Sequence, residues 1–374
     1  MSDVGIVTLY KDNFGSILQC YSTKRFLQDQ GITPVVFSLD YEEGKLRRYF
    51  HILYLLLRYK SFRDKYFEQR KMRGKELSLL SVNTKEKMNE FIRNEICPYY
   101  FSSYRSLKEK TNCLNSVIVG SDQVWNLGRP INRFFLLDWV PNHKKIAFGP
   151  SFGFQSIPPF NRHALKKISK FPHISVREES AQTMLQDLFP KKEIVRVGDP
   201  TIMLNKDEWI KFASNSNYHY ENFVLLHFLN EPTALAIESV KKIANGKKII
   251  CICNKYSAYS KLENIAFLDC NPYDYVKLIS TCDCLLTDSF HSTLFSINLN
   301  KHFLTFHRQY LHSYDQTSRI TDMLKRFHLE DHYIESLESI DKVKDFLDIS
   351  NILEAERNGT KKFLLTALEE NLDD

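Results

Sequence analysis

The chain has 374 residues, a length that suits two α/β domains better than one. Apolar residues make up 43% and charged residues 26% of the chain, a mixture typical of globular proteins rather than disordered or fibrous ones. The formal net charge of +6 is too small for a generally nucleic-acid-binding chain, and no apolar run approaches the ~18 residues of a membrane-spanning helix.

The first half of the chain alternates short apolar runs with longer amphipathic ones. Strands are predicted at 4–10, 34–39, 116–119, up to about 148, and 174–176. Helices are predicted at 15–30, 47–75 (one helix or two), 85–95, 160–170 and from 178 onward. The chain enters its first strand without the charged and apolar regions of a signal peptide, so we expect a cytoplasmic location.

The second half repeats this alternation. Strands are predicted at 194–198, 223–228, 247–253, 265–269, 284–287 and 302–306. Helices are predicted at 232–244, 273–281, 292–299, 319–327 and 350–370. Such alternation predicts parallel sheets with helices on both faces, with a change of domain between about 170 and 200.

Eight Cys residues include the pairs Cys251-x-Cys253 and Cys282-x-Cys284. A one-residue gap on an apolar β run places both thiols on one face of a strand. Zinc ligands in such pairs usually lie two to four residues apart, in turns. We therefore expect reduced structural thiols and no metal site, in agreement with a cytoplasmic protein.

Basic residues are concentrated between Lys45 and Lys75, where only Asp64 and Glu68 oppose them. The apolar residues within this segment are Phe50, Ile52, Leu53, Leu55, Leu56 and Leu57. The segment is either an ordinary helix with a basic solvent face or a helix that lies on an anionic membrane. No nucleic-acid-binding module accompanies it, so we expect no nucleic-acid partner.

Ligands of open parallel sheets bind beyond the carboxyl ends of the strands. Polar post-strand segments lie at 11–16, 120–126, 149–153, 177–179, 198–200 and 288–292. The last segment is the strongest candidate for an active site in the cleft between the domains. It places His291 near a helix N-terminus, where an anion is favoured, and a histidine there is suited to proton transfer. Alternatively, His291 is hydrogen-bonded in a cap formed by Asp288 or Ser289.

Other candidates also have two interpretations. Asp122 either caps a turn or accepts hydrogen bonds from substrate hydroxyls, and Trp125 either fills the core or stacks on a sugar ring. Asn13 and Gln19 are suited to reading hydroxyls, although an Asn before a helix is more often a cap.

Three arginines follow predicted strands or begin helices. Arg177 directly follows a strand and is costly to bury unpaired, so it needs a carboxylate or a phosphate; Glu178 is the nearest carboxylate in the sequence. Arg308 and Arg319 have the same two interpretations, because a guanidinium matches either anion. The chain lacks G-x-G-x-x-G after its first strand and G-x-x-x-x-G-K-[ST], which disfavours dinucleotide enzymes and Walker NTPases.

At these same segments the chain resembles the polysaccharide pyruvyl transferase family. The matching segments are Asn13-Phe14-Gly15-Ser16 with Leu18-Gln19, Val117 to Asn126, Ala147 to Gly153, Ile174 to Glu178, Val197 to Pro200 and Thr287 to Ser292. They run in order along the chain and end near Ser318-Arg319-Ile320. Some branches of the family carry a donor-binding Arg where this chain has Ser289. Either Arg308 or Arg319 substitutes for it, or the donor lies differently, or the donor is another compound.

The resemblance implies a fold like that of GT-B glycosyltransferases, with two Rossmann-like domains facing each other across a cleft. It also implies that the C-terminal helix packs back on the first domain. We place an acceptor domain at 1–190, a donor domain at 191–345 and the C-terminal helix at 346–374.

The implied reaction transfers pyruvate from phosphoenolpyruvate to a sugar diol of a surface polysaccharide or its lipid-linked precursor, forming a ketal. The residues expected to carry catalysis are His291, Arg177 and Asp122. Those expected to bind the donor are Arg177, Ser289, Phe290, His291, Ser292, Arg308 and Arg319. Those expected to bind the acceptor are Asn13, Gln19, Asp122, Trp125, Asn126, Ser151 and Asp288. No metal or other cofactor is expected, because the arginines supply the positive charge. For a lipid-linked acceptor, segment 45–75 would bring the enzyme to the cytoplasmic membrane face.

Two other functions remain compatible with the same residues. A GT-B glycosyltransferase would bind a nucleotide sugar in the second domain. A non-catalytic sugar- or anion-binding protein would bind ligand without turnover.

Overall fold

The structure is a computed structural model that describes residues 3–39, 45–60, 62–64, 66–67, 80–153, 156–252, 255–309, 318–343 and 349–373. Its first sheet has seven parallel strands in the order β3-β2-β1-β4-β5-β6-β7. These strands are β1 (Asp3–Val7), β2 (Thr33–Leu39), β3 (Tyr99–Phe101), β4 (Ser116–Val119), β5 (Lys145–Ala147), β6 (His173–Val176) and β7 (Ile194–Arg196). The order reverses between β1 and β4, so the carboxyl ends of these two strands flank a crevice.

Helices follow most strands of the first sheet. They are α1 (Phe14–Asp29), α2 (Lys45–Arg58), α3 (Val82–Phe91), α4 (Tyr104–Thr111), α5 (Arg162–Ile168) and α6 (Glu179–Leu188). Local sequence sets their ends: the Asn13 side chain accepts a hydrogen bond from Ser16 N at the start of α1, and Gly31, with φ of 72°, follows its end. The predicted basic helix at 47–75 is described as α2 and as helical residues 62–64 and 66–67. Lys65, Arg70, Lys71, Arg73 and Lys75 lie outside the described residues.

The second sheet has five parallel strands in the order β10-β9-β8-β11-β12. These are β8 (Phe223–His227), β9 (Lys248–Ile252), β10 (Ile265–Leu268), β11 (Cys284–Thr287) and β12 (Phe303–Thr305). The accompanying helices are α7 (Lys206–Ala213), α8 (Ala234–Ala244), α9 (Pro272–Thr281), α10 (Phe290–Leu299), α11 (Ser318–Phe327) and α12 (Ser350–Asp373). Two parallel sheets with interleaved helices confirm the predicted two-domain α/β fold class.

Three elements were not predicted: β3, α4 and α7. β3 is a three-residue edge strand, too short to show an alternating pattern. α7 is marked by a capping box in which Asn205 and Glu208 bond each other's backbone N–H groups. That signature was present in the sequence and was overlooked.

The last helix returns to the first sheet. The Thr360 hydroxyl accepts a hydrogen bond from Gly198 N at 2.8 Å, just beyond β7. The Asn371 amide donates to Ser116 Oγ at 3.0 Å at the start of β4. These contacts bind α12 to the first domain, as the family resemblance implied.

The cysteine prediction was partly wrong. Cys284 begins β11, whereas Cys282 lies at the end of α9. The two thiols therefore belong to different hydrophobic clusters rather than to one strand face. Burial raises the pKa of the Cys251 and Cys282 thiols to about 12, which keeps them protonated. Cys253 lies outside the described residues.

The two sheets share one hydrophobic core. A single buried cluster contains Val4 and Ile118 from the first sheet together with Leu225 and Leu285 from the second. Continuous apolar packing of this kind holds the two domains in a defined arrangement. Among the described residues, no helix is both long and apolar enough to cross a membrane.

Candidate functional site

A cleft lies where the carboxyl ends of β6 and β7 meet the N-terminus of α10 and one face of α11. The space within it in which the centre of a water molecule can lie is about 30 Å³. Its charged lining consists of the arginines Arg177, Arg319 and Arg326 and the carboxylates Glu178, Asp199, Asp322 and Glu356. Both domains and α12 contribute to this lining, so the cleft exists only in the assembled fold.

The buried carboxylate of Asp199 is the centre of the charged network. Its Oδ2 accepts a hydrogen bond from Arg177 Nη1 and lies 3.4 Å from His291 Nε2. Its Oδ1 accepts hydrogen bonds from Thr201 N at 3.0 Å and Thr201 Oγ1 at 2.8 Å. Asp199 therefore links an arginine of the first domain to a histidine of the second.

These neighbours decide the ionisation of Asp199. Burial by itself raises the pKa of a carboxyl group, but Arg177 and His291 hold the pKa of Asp199 well below its usual range. Burial would likewise lower the pKa of Arg177, yet Asp199 and Asp122 raise it. The carboxylate and the guanidinium therefore both remain charged in the closed network.

Arg177 follows β6 and is 5% exposed. Its bonded carboxylate is Asp199 rather than Glu178, the nearest one in the sequence, and its Nη2 lies 3.6 Å from Asp122 Oδ1. Glu178 instead accepts a hydrogen bond from Ser151 Oγ. Nε and Nη2 of Arg177 have no hydrogen-bond partner among the described residues. A buried guanidinium with unused donors is suited to an anionic ligand.

His291 lies in the first turn of α10, which begins at Phe290 after the cap residue Ser289. Its Nε2 also has no hydrogen-bond partner among the described residues. The neighbouring Phe290 ring is close to two guanidinium groups, with its centroid 5.0 Å from Arg177 Cζ and 5.5 Å from Arg319 Cζ. The aromatic face favours two cations close together at the wall of the cleft.

A second ion network closes the other end of the cleft. Glu356 on α12 accepts hydrogen bonds from both terminal nitrogens of Arg196 at 2.5 and 2.6 Å. It also accepts one from Arg326 on α11 at 2.9 Å. Both terminal nitrogens of Arg196 are used by this carboxylate, whereas Nε and Nη2 of Arg177 have no hydrogen-bond partner among the described residues.

Asp122 lies directly beyond β4, at the crevice between β1 and β4. Its Oδ2 accepts a hydrogen bond from Ser16 Oγ at 2.5 Å, in the first turn of α1. The residue has φ of 59°, which costs energy for any residue except glycine. Asp122 thus joins the first helix to the Arg177 network.

Four predicted site residues are fully buried and hydrogen-bonded within the protein. Trp125 packs in the core beside Phe152, and its N–H donates to Phe135 O at 2.9 Å, as in the core-filling interpretation of this residue. The Gln19 side chain donates a hydrogen bond to Thr8 Oγ1 and accepts one from Ser121 N. It therefore links the loop that follows β1 to the loop that follows β4.

The remaining two are serines that bond to other side chains. Ser292 Oγ lies 2.6 Å from His227 Nδ1 and 2.9 Å from the Tyr275 hydroxyl, below the cleft. Ser151 has the spacing of a nucleophile elbow, between Gly149 and Gly153. It is nevertheless 0% exposed and donates to Glu178, so it is not placed as a nucleophile.

Asp288 and Arg308 form a separate pair outside the cleft. Asp288 accepts hydrogen bonds from Leu229 N at 2.7 Å and Asn230 N at 3.2 Å, which fixes the loop after β8. Arg308 Nε lies 3.5 Å from Asp288 Oδ2. Arg319 lines the cleft, whereas Asp288 and Arg308 are not among its lining residues.

Two predicted polar residues are half-buried at loop positions. Asn13 caps α1, and Asn126 bonds Gln123 Oε1 at 2.8 Å and Gly128 N at 2.9 Å. Both keep part of their surface open to solvent. Their structural bonds do not prevent contact with a ligand at the rim of the first domain.

Sequence reasoning missed the central role of Asp199 as well as Glu356, Asp322 and Arg326. Asp199 lies in segment 198–200, one of the polar segments that follow predicted strands. Its carboxylate was therefore a candidate ion-pair partner for Arg177. Nothing in the amphipathic pattern of α11 and α12 distinguishes Asp322 or Glu356 from other surface carboxylates.

A family model described as polysaccharide pyruvyl transferase matches residues 13–310 of this chain. The match spans the β1, β4, β6 and β7 loops and the α10 motif described above. A search of curated proteins gives no significant match.

Solved structures share the fold at low sequence identity. A UDP-GlcNAc 2-epimerase from Methanocaldococcus jannaschii has a TM-score of 0.55 and 12% identity, covering 97% of this chain and 98% of that one. The UDP-GlcNAc 2-epimerase of Neisseria meningitidis, bound to UDP-GlcNAc, has a TM-score of 0.51 and 12% identity, covering 98% and 99%. Staphylococcus aureus MnaA with UDP has a TM-score of 0.51 and 11% identity, covering 100% and 97%. These likenesses show the GT-B-like arrangement of two Rossmann-like domains and nothing of the ligand.

Proposed function

This chain belongs to the polysaccharide pyruvyl transferase family, and we propose that it transfers pyruvate from phosphoenolpyruvate to a sugar diol, forming a cyclic ketal. The observation that supports this most directly is the buried Arg177, whose Nε and Nη2 have no hydrogen-bond partner among the described residues. An anion that enters the cleft would satisfy donors that are costly to leave unused.

Phosphoenolpyruvate carries a carboxylate and a phosphate, so it needs cations at two points. Arg177 and Arg319 both lie within 5.5 Å of the centre of the Phe290 ring and line the same cleft. A planar guanidinium binds either group through paired hydrogen bonds. In this proposal the two arginines hold the two ends of the donor, and Arg319 takes the role that an arginine at position 289 has in other branches of the family.

The chemistry also needs an acid. The C3 methylene of the donor gains a proton as C2 becomes electrophilic, one sugar hydroxyl attacks C2, and the bond from C2 to the phosphate oxygen breaks. The second hydroxyl then closes the ketal. Two hydroxyl protons are lost; one replaces the proton delivered to C3, and the other leaves with hydrogen phosphate. We assign the proton delivery to His291, because its Nε2 has no hydrogen-bond partner among the described residues and lies 3.4 Å from the Asp199 carboxylate, which holds the ring in place.

The acceptor would lie against the first domain. Asp122 accepts a hydrogen bond from Ser16 at the end of β4, and its carboxylate is suited to orient a diol beside Arg177. Asn13 and Asn126 are the half-buried polar residues that could extend this contact to a glycan or its lipid-linked precursor. The scheme uses no metal ion or cofactor, because guanidinium groups supply the positive charge.

The first experiment measures thermal stability with phosphoenolpyruvate, with UDP-GlcNAc and with inorganic phosphate. A ligand at ~100 times its dissociation constant should add roughly 2.7 kcal/mol to the unfolding free energy. We expect stabilisation by phosphoenolpyruvate that is stronger than by phosphate and is lost in Arg319→Ala. Retention of the effect in Lys277→Ala, on α9 and outside the cleft lining, serves as the control.

The activity test follows with candidate diol acceptors. Proton NMR of the product should show a new ketal methyl group, with one phosphate released for each ketal formed. Stabilisation by UDP-GlcNAc without any response to phosphoenolpyruvate would move the assignment to a nucleotide-sugar glycosyltransferase. Donor binding without phosphate release on any acceptor would favour a non-catalytic anion-binding protein.

A further inference from the structure

One face of α2 exposes three large apolar side chains to solvent. The exposed fractions are 40% for Leu53, 55% for Tyr54 and 77% for Leu57. Leu53 and Leu57 lie one helical turn apart, and Tyr54 adjoins them, so the three form one continuous strip. We call this strip the α2 face. A single exposed leucine is ordinary, but a strip on one side of a helix is characteristic of a binding surface.

The opposite side of the helix is packed. Leu55 is 2% exposed, and with Phe62 it forms a hydrophobic cluster around Phe160, in the connection between β5 and α5. The rings of Phe62 and Phe160 meet edge-on, 5.5 Å apart. Because the inner side is anchored to the first domain, the α2 face is held outward by the fold.

Basic side chains border the α2 face. Arg58, Lys60 and Arg63 are all exposed. Between Lys45 and Arg63 the sequence contains no Asp or Glu. The nearest acidic residue that follows is Asp64, whose Oδ1 lies 3.9 Å from Arg63 Nε. A helix with an exposed apolar strip and a predominantly basic border is the pattern of a helix that lies in the interface of a membrane.

We propose that the α2 face binds the surface of an anionic lipid bilayer. Leu53, Tyr54 and Leu57 would enter the region between head groups and acyl chains, and Arg58, Lys60 and Arg63 would contact anionic head groups. Long basic side chains reach outward while their methylene stems cover apolar surface. The positive charge of Arg58, Lys60 and Arg63 favours an anionic bilayer over a second copy of this chain. In a dimer formed through the α2 face, these basic residues of the two copies would repel each other.

The position of α2 relates this surface to the cleft. α2 follows β2, and Phe160 follows β5, so both segments extend from the carboxyl-end edge of the first sheet, where Asp122 and Arg177 also lie. A membrane on the α2 face would therefore lie beside the acceptor side of the cleft. This last step rests on the proposed function, whereas binding to the bilayer does not.

Vesicle sedimentation tests the proposal with the full chain and without donor or acceptor. The vesicles contain either phosphatidylcholine alone or a mixture of phosphatidylcholine and phosphatidylglycerol. We expect binding to the mixed vesicles that weakens at high salt, and about tenfold weaker partitioning of the Leu53→Ser/Tyr54→Ser/Leu57→Ser variant. The matched control is Leu188→Ser/Ile210→Ser, which replaces side chains that are 45% and 46% exposed elsewhere.

Three outcomes would overturn the proposal. The first is no binding of the wild type to anionic vesicles, and the second is equal binding of the wild type and the triple variant. The third is a loss of vesicle binding in the control variant as large as that in the triple variant. A second variant, Arg58→Ser/Lys60→Ser/Arg63→Ser, separates the charge from the apolar contribution and should lose binding most at low salt. Sedimentation velocity of wild type and triple variant checks self-association. A dimer that dissociates in the triple variant would assign the α2 face to a second copy of the chain.

Discussion

The imidazole ring of His291 occupies the position that a Cβ atom on residue 15 would take. An ideal Cβ built on Gly15 would lie 2.1 Å from both Cγ and Nδ1 of His291. Gly15 lies in the first turn of α1 in the first domain, and His291 lies in the first turn of α10 in the second. The missing side chain therefore allows the two helix N-termini to meet and sets the position of the proposed acid.

Gly15→Ala should displace His291. The overlap is too short to relax locally, so we expect a loss of about 1–3 kcal/mol in unfolding free energy. A displaced proton donor should also reduce kcat about 100-fold. The matched control is Gly359→Ala, in α12, where an added Cβ meets nothing within 4 Å. That variant should be as stable as wild type or slightly more so, and fully active. Normal activity of Gly15→Ala would contradict a catalytic role for His291.

Asp199→Asn should break the central ion network. It removes the charge that compensates both Arg177 and His291 while keeping an oxygen for Thr201. Arg177 would lose its directly bonded carboxylate and keep Asp122 at 3.6 Å, so we expect a loss of about 3 kcal/mol in unfolding free energy, measured by urea denaturation. Asp283→Asn breaks the partly exposed pair with Lys247 and should cost less than about 1 kcal/mol. Equal losses of unfolding free energy in Asp199→Asn and Asp283→Asn would mean that burial does not strengthen the ion pair between Asp199 and Arg177.

His227 should make the stability depend on pH. Burial lowers the pKa of His227 from 6.5 to about 3. Between these two values the unfolded chain binds the proton and the folded chain does not. Stability is therefore fully present above pH 6.5 and falls as the pH drops, at up to about 1.4 kcal/mol per pH unit.

The control for this prediction is His227→Asn, which keeps a polar atom near Ser292 but does not titrate in this range. Chemical denaturation at pH 7, 6 and 5 would be compared for the two proteins. We expect the pH slope of the wild type to exceed that of the variant by close to one proton. Identical slopes would show that His227 is accessible to protons in the folded state.

Glu356→Gln should loosen α12 from the rest of the molecule. Glu356 is the shared acceptor of Arg196, at the end of β7, and Arg326, on α11. Its removal leaves two partly buried cations without that carboxylate, so we expect a loss of about 3 kcal/mol in unfolding free energy. Glu369→Gln, at an exposed position of the same helix, should change stability by less than about 0.5 kcal/mol. Faster amide exchange in α12 of Glu356→Gln would locate the effect.

The elements of both sheets followed from local patterns. Apolar runs such as Val117-Ile118-Val119 and Leu285-Leu286 are too short and too apolar for surface helices, and they became buried strands. Caps such as Asn13 and Ser289 set helix starts within a residue or two of the prediction. The exceptions were β3, which is too short to show a period, and the helices α4 and α7, of which α7 carries a capping box in its sequence.

The candidate site followed from the sequence only in part. The rule that ligands lie beyond the carboxyl ends of parallel strands selected Asp122, Arg177 and the loop before His291. This rule does not distinguish a polar side chain that faces the cleft from one that is hydrogen-bonded within the protein core. Trp125 and Ser292 occur in the same segments as Asp122 and His291, yet they are fully buried.

The sequence by itself determined the alternation of strands and helices, the two-domain class and the segments from which a site can be built. These depend on residues a few positions apart, whose spacing decides which face of an element is apolar. Only the tertiary structure decided that Arg177 pairs with Asp199, that His291 fits against Gly15, and that Glu356 joins three elements. Such contacts join residues far apart in the chain, and their geometry depends on how the two sheets and the last helix pack around one core.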